Sequence, residues 1–347
     1  MAFLYDLHGL VRITSNVPVP QLAYFDQPRS DTAQDTISVY VEDKLGTSGR
    51  IKRIGQNFWY DVETEELTYA PPRLLRSFRV SMRLGRDSVI RLSHSYYNAT
   101  LSFQTRFDVY NLLMAVLSTR LLLRGCRLQY GACVSFEGRG VLLPAFSDVG
   151  KTTTVLSLVR KGAAQYVSDD ATIITPAGEA LCLPTAVLPR GSQSDGAGLR
   201  AKTARSAVAK LSRGFREIYP FSGILPSAPK DPSAYSLCID RASVLRRVQV
   251  SSIYFLEWGV SGSREIDSWT TLNKLWALDL YEPTWSSNIF VAAYGYARPD
   301  LDFRELFARE AEVTRKFVES IGRLRVISQQ GKDFSEPILL QFRQAAP

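Results

Sequence analysis

The sequence predicts a mixed α/β protein in which a β-rich N-terminal part precedes a phosphate-binding strand–loop–helix unit. Residues 140–154 read Gly-Val-Leu-Leu-Pro-Ala-Phe-Ser-Asp-Val-Gly-Lys-Thr-Thr-Thr: an apolar strand, a tight loop and the start of a helix. Eighteen residues after Lys151, a second short apolar run ends in Ser168-Asp169-Asp170. Before residue 95 the apolar residues recur with strand spacing rather than helical spacing.

Taken in order, Thr36 to Val41 alternates with period two, as a half-buried strand does. Phe58-Trp59-Tyr60-Asp61-Val62 and Glu66-Leu67-Thr68-Tyr69 pair as a hairpin, and Phe78–Leu84 with Ser88–Leu92 as another around Gly85-Arg86-Asp87. Residues 107–124 form a strongly apolar helix that Gly125 terminates. Arg127–Phe136 and Gly140–Pro144 read as two strands joined by the Gly-rich turn Glu137-Gly138-Arg139-Gly140. A helix over 151–161 ends in Arg160-Lys161-Gly162, basic residues and Gly where a helix C-terminus favours them. Strands at Ala164–Ser168 and Ala171–Thr175 flank the acidic pair. The resulting β–α–β crossover brings Lys151 and Asp169/Asp170 to one sheet edge. Further on come a strand at Val248–Glu257, a helix at about 270–281 without a strong start signal before Thr270, and an amphipathic helix over 301–321. The expected division is a β-rich domain over 1–100 and an α/β domain over 101–347.

Composition is that of a globular chain: 347 residues, 22% charged and 45% hydrophobic. The net charge of +8, from 42 basic minus 34 acidic residues, favours acidic partners such as nucleotides. The excess is concentrated between 190 and 235, where seven basic residues from Arg190 to Arg216 face one acid, Asp195. That stretch reads either as a solvated connection, with a short helix over 199–213, or as a basic flap over phosphates. Cys126, Cys133, Cys182 and Cys238 form no C-x-x-C pair, and His8 and His94 are the only histidines. Buried thiols are expected rather than a zinc site, and His8 is expected to be structural or exposed. The first residues lack the basic start and apolar run of a secretory leader, and Tyr110–Leu123 is too short and polar to span a bilayer, so a cytoplasmic location is expected.

The chemistry follows from the loop. Backbone N–H groups of such a loop and helix start point at an anion, a Lys neutralises the outer phosphates, and a Thr hydroxyl reaches Mg²⁺. The candidate nucleotide-binding residues are Ala145, Phe146, Ser147, Asp148, Val149, Gly150, Lys151, Thr152 and Thr153. The pattern G-x-x-x-x-G-K-[ST] has Ala145 in place of its first Gly, and a left-handed backbone there would be strained. Asp148 adds a carboxylate near the phosphates. A carboxylate beside the loop, as Asp169 and Asp170 provide, is what phosphoryl transfer requires.

Residues 125–176 resemble the HPr kinase/phosphorylase-like group of P-loop kinases, related in fold to ATP-dependent phosphoenolpyruvate carboxykinases. The resemblance is carried by Leu128-Gln129-Tyr130-Gly131-Ala132-Cys133-Val134, by Ser147-Asp148-Val149-Gly150-Lys151-Thr152, and by Tyr166-Val167-Ser168-Asp169-Asp170. Looser agreement covers Leu183-Pro184, Pro189-Arg190 and Phe255-Leu256-Glu257. Kinases related to this group also serve in peptide natural-product biosynthesis. The resemblance implies a P-loop kinase core that uses ATP and Mg²⁺. Lys151 and the loop amides would hold the β- and γ-phosphates. Thr152 would bind Mg²⁺. One of Asp169 and Asp170 would accept the proton of an attacking hydroxyl and the other would assist with the metal. Which is which stays open, with Asp170 also counted beside Thr152 as a metal-side candidate. Arg190 is a weaker candidate for charge stabilisation. The chain departs from the group in lacking Gly at 145 and 148 and in carrying Tyr130 where HPr kinases carry His. That departure speaks against phosphorylase chemistry and against HPr itself as substrate.

Two function classes remain. One is an ATP-dependent kinase acting on a hydroxyl of a peptide, protein or small alcohol. The other is a non-catalytic nucleotide-binding regulatory module. A GTPase is disfavoured because Asn273-Lys274-Leu275 is followed by Trp276, and Asp195-Gly196-Ala197-Gly198 follows no apolar strand. Basic and aromatic residues do not interleave as a nucleic-acid platform would require. The partners expected are a nucleotide, a peptide, protein or small-molecule hydroxyl acceptor, and a second copy of the chain in a homo-oligomer.

Overall fold

The computed structural model describes residues 2–26, 35–43, 45, 49–70, 79–85, 87–97, 109–184, 239–281 and 285–344. Arg190, the whole basic stretch at 190–235 and the helix expected over 199–213 lie outside the described residues.

Period-two alternation builds the first sheet. Its strands are β1 (Phe3–Leu7), β2 (Val11–Ser15), β3 (Asp35–Glu42), β4 (Ile51–Arg53), β5 (Phe58–Asp61), β6 (Glu66–Tyr69), β7 (Val80–Arg83) and β8 (Asp87–Ser93). They lie in the order β1-β2-β3-β8-β7-β6-β5-β4, with β2, β3 and β8 parallel and the other neighbours antiparallel. On β3, Ile37, Val39 and Val41 are buried on one face while Thr36, Ser38 and Tyr40 take the other, as the alternation predicts. The expected hairpins β5–β6 and β7–β8 are both present. The β1–β2 hairpin turns on His8 and Gly9, at φ 58° and 71°, with the Asp6 carboxylate accepting the Gly9 N–H at 2.7 Å.

Helix α1 (Val109–Leu123) is apolar on all sides and accordingly buried, packing on β2 and β3. Gly125, at φ 69°, ends it: the N–H groups of Gly125 and Cys126 return to the carbonyls of Leu122 and Leu121. Asp35 at the start of β3 is almost wholly buried and is clasped by Arg120 and Arg124 of α1, each at 2.8 Å. Burial pushes the Asp35 pKa up, but the bonds and charges of the two guanidinium groups outweigh it and hold the carboxyl below its ordinary range.

The second sheet contains β9 (Arg127–Tyr130), β10 (Ala132–Phe136), β11 (Arg139–Leu143), β12 (Gln165–Ser168), β13 (Ala171–Ile174), β14 (Glu179–Leu181), β15 (Arg247–Trp258), β16 (Gly262–Glu265) and β17 (Arg323–Gln329). Its main path is β12-β10-β11-β15-β14-β13-β9, and β17 pairs with β15 and β16. β10 is antiparallel to both β11 and β12, so those two run the same way with β10 between them. The crossover between them is helix α2 (Lys151–Arg160). The carboxyl ends of β11 and β12 therefore share one sheet edge.

The single strand expected over Arg127–Phe136 is two strands, which corrects the sequence reading. Gly131 breaks it: its N–H donates to the Asp170 carbonyl at 3.0 Å and its own carbonyl accepts from the Thr172 hydroxyl at 2.7 Å. A Cβ at this position would sit 3.3 Å from the Pro144 backbone. The chain thus leaves β13 and joins β11 and β12 at a place where only a glycine passes comfortably.

Four more helices follow: α3 (Ser268–Tyr281), α4 (Ile289–Ala297), α5 (Phe303–Glu319) and α6 (Ser335–Arg343). α3 does have a start signal, which the sequence reading missed: the Asp267 carboxylate accepts the Thr270 N–H at 2.6 Å. α5 is the expected amphipathic helix, capped by Asp302 and burying Leu306, Val313, Phe317 and Val318. α3 and α5 enclose Arg127 of β9, which is 1% exposed and paired with Asp279 and Glu310. α4 covers β5 and β6, where the Tyr294 hydroxyl donates to the Leu84 carbonyl at 3.1 Å. One continuous buried apolar cluster runs through both sheets and their helices.

Candidate functional site

The loop 144–150 leaves β11 and enters α2 at the shared sheet edge. Gly150 stands at the helix N-cap with φ 126°, and no side chain caps the first turn. The first-turn amides therefore lack a side-chain acceptor, as at helix starts that receive an anion. Gly150 is also required sterically, because a Cβ there would overlap the Lys332 carbonyl oxygen. Ala145 is buried and is not among the residues at positive φ, so the strain expected from its replacing Gly does not arise. Asp148 does take the left-handed conformation, at φ 66°, which Asp tolerates better than most residues.

Lys151 is only 6% exposed and turns back under the loop. Its Nζ donates to the carbonyls of Ala145 at 2.7 Å and Phe146 at 3.3 Å. The same ammonium lies 4.3 Å from the centroid of the Tyr130 ring. The Tyr130 hydroxyl donates to Asp170 at 3.3 Å and is 3.1 Å from the Ser147 hydroxyl. One tyrosine at the end of β9 thus touches the loop, the lysine and the acidic pair.

The two acids differ. Asp170 is exposed at the mouth of the site, whereas Asp169 is 3% exposed and accepts a 3.0 Å hydrogen bond from the Tyr166 hydroxyl. Burial, with the Asp170 charge added, pushes the Asp169 pKa up to about 7, against the opposing pull of Tyr166 and Lys151. Of the other expected residues, Phe146, Ser147, Thr152 and Thr153 are exposed and Val149 is half-buried.

Contributors from distant parts of the chain were not legible as site residues. Trp258, at the end of β15, donates its indole N–H to the Val149 carbonyl at 3.1 Å. Lys332, beyond β17, lies against Gly150 with its carbonyl and 5.6 Å from the Trp258 ring with its Nζ. Thr154 of α2 accepts the Phe334 N–H at 3.0 Å, and Lys161, which caps the end of α2, pairs with Glu336 of α6 at 2.8 Å. β11 and β15 adjoin, with the Leu256 N–H on the Pro144 carbonyl at 3.1 Å, and this pairing delivers Trp258 to the loop. Only the full sheet order carries that information.

His8 is structural, as one of its two expectations had it. Its Nε2 lies 2.7 Å from the Cys182 carbonyl, joining the first hairpin to the segment after β14. Cys126, Cys133 and Cys182 are buried free thiols. Among the described residues, no group of three or more His, Cys, Asp or Glu side chains is placed to hold a metal ion. No described helix is long and apolar enough to cross a membrane.

No protein-family model matches the chain, and no curated protein matches it. Among solved structures, it is similar to the Hpr(Ser) kinase/phosphatase from Coxiella burnetii at 12% identity, with 63% of this chain and 90% of that chain covered and a TM-score of 0.27. A likeness that loose bears on neither substrate nor mechanism.

Proposed function

We propose that the chain is an ATP-dependent kinase that transfers a γ-phosphoryl group to a hydroxyl, with residues 101–347 carrying a P-loop core and residues 1–100 a β-rich domain packed against it through the shared apolar core. The observation that carries the reading is the convergence at Tyr130 of Ser147 from the loop, Lys151 from α2 and Asp170 from the acidic pair. A cation that can turn to the phosphates and a carboxylate beside it are what phosphoryl transfer uses.

The loop amides and Lys151 would hold the β- and γ-phosphates; Lys151 would exchange its loop carbonyls for phosphate oxygens. Thr152 and Asp170, both exposed at the site, offer a hydroxyl and a carboxylate, the oxygen donors that Mg²⁺ takes alongside waters and phosphates. Mg²⁺ bound there would supply charge neutralisation between the β- and γ-phosphates. Asp169, with its pKa near 7, is matched to proton acceptance at neutral pH. In the transfer, the acceptor oxygen forms a bond to the γ-phosphorus, the bond from that phosphorus to the β,γ-bridging oxygen breaks, ADP leaves, and the hydroxyl proton passes to Asp169. Arg190 remains a candidate for stabilising the transferring charge.

The test is transfer of label from γ-labelled ATP to a pool of hydroxyl acceptors, beginning with a cell extract. Wild type is expected to label an acceptor, and Lys151→Ala, Asp169→Asn and Asp170→Asn to lose at least ~100-fold in rate. Binding of ATP without transfer, unchanged in the two Asp variants, would favour the non-catalytic module instead.

A further inference from the structure

We infer that Trp258 is the stacking platform for the nucleobase of the bound nucleoside triphosphate, an inference that rests on the phosphate-binding reading of the 144–150 loop. The indole is 56% exposed, an unusual position for so large an apolar surface. It is not a loose surface side chain. Its N–H is tied to the Val149 carbonyl, one residue before Gly150 and two before Lys151. The ring is therefore fixed at the rim of the anion-facing turn, within the reach of a nucleoside attached to phosphates on that turn.

Its surroundings fit the same occupant. The Lys332 ammonium sits over one face of the ring, 5.6 Å from its centroid, and the Lys332 carbonyl lies against Gly150. A cation on that face would serve the phosphate end of a nucleotide, and the opposite indole face would serve the base. The backbone beneath is held by β17, where Trp258 pairs with Gln329, and by the Leu256 N–H on the Pro144 carbonyl. A base held by an aromatic face is recognised by stacking, which every base offers. ATP and GTP are therefore expected to bind with similar affinity, while the triphosphate is held separately by the loop.

Separating base from phosphate gives the test. Wild type, Trp258→Ala, Trp258→Phe and Lys151→Ala are titrated calorimetrically with Mg-ATP, Mg-GTP and inorganic tripolyphosphate. Trp258→Ala is expected to weaken ATP and GTP by ~10-fold or more and to leave tripolyphosphate unchanged. Trp258→Phe, which keeps a ring but not the N–H, is expected to retain most ATP affinity. Equal ATP affinity in wild type and Trp258→Ala, with tripolyphosphate still bound, overturns the platform and leaves the phosphate reading standing. Equal loss of ATP and tripolyphosphate in Trp258→Ala also overturns it, since Trp258 would then act through the loop. Failure of wild type to bind tripolyphosphate or ATP any better than Lys151→Ala removes the phosphate reading and the platform with it.

Discussion

The Tyr130 ring lies 4.3 Å from the Lys151 ammonium, so a residue from a strand end partners the cation of the candidate loop. The hydroxyl of the same side chain reaches Asp170 at 3.3 Å. Tyr130→Phe keeps the ring over Lys151 and removes the link to Asp170 and Ser147. Both bonds are solvent-exposed, so little change in melting temperature is expected, whereas loss of the link that positions Asp170 is expected to lower kcat/KM by at least ~10-fold. Steady-state kinetics beside a thermal melt checks this; unaltered kinetics would make Tyr130 a packing residue only.

Asp169 makes stability pH-dependent in an unusual direction. Its pKa of about 7 in the fold lies above the ordinary carboxylate value. Between about pH 4 and 7 the folded chain keeps a proton that the unfolded chain has released. The contribution is complete below that window and is lost as pH rises through about 7, on the order of a few kcal/mol. Denaturant unfolding without metal or nucleotide should show this slope in wild type and its removal in Asp169→Asn. As a proton acceptor Asp169 must be ionised, so kcat/KM should rise with pH to a plateau above about 7.

His8 acts in the opposite sense. Burial, reinforced by the nearby Arg246 and Arg247 charges and opposed by the Cys182 carbonyl and Asp6, pushes its pKa down to about 4. Between about 4 and 6.5 the unfolded chain binds a proton that the folded chain refuses, so stability rises with pH across that window. His8→Asn, acceptable at φ 58°, should flatten that rise, and pH-dependent melts of the variant against wild type would reveal it. An unchanged difference between pH 4 and 6.5 would place His8 outside the linkage.

Gly150→Ala combines a left-handed backbone with a Cβ overlapping the Lys332 carbonyl. A cost of ~1–3 kcal/mol is expected, together with loss of tripolyphosphate binding. Urea unfolding and calorimetry measure the two separately. A variant as stable as wild type would mean that the 330–334 segment yields easily.

The loop, its helix and the acidic pair were legible because each is written in contiguous residues: Gly150-Lys151-Thr152 after an apolar run, and Asp169-Asp170 after another. The alternation in β3 and the turns of the β5–β6 and β7–β8 hairpins are equally local. The break at Gly131 was not legible, since apolar residues continue on both sides and only the approach of Pro144 and Asp170 interrupts the strand. Trp258 and Lys332 lie far from the loop in sequence and join it only through sheet order. Asp267 was overlooked although its signal is local: an Asp immediately before a helix start. The β17 run Arg323-Leu324-Arg325-Val326-Ile327 buries only Val326 and Ile327, so its strand pattern is weak in the residues alone.

Thr154 and Phe334 are 180 positions apart along the chain yet bonded directly, and Lys161, about two turns further on at the helix end, grips Glu336. The last helix is thereby braced to the very rod whose tip would face the proposed phosphates. Deleting it, or prising it away with a bulky fusion, would reach the chemistry from behind, with no residue of the loop itself altered.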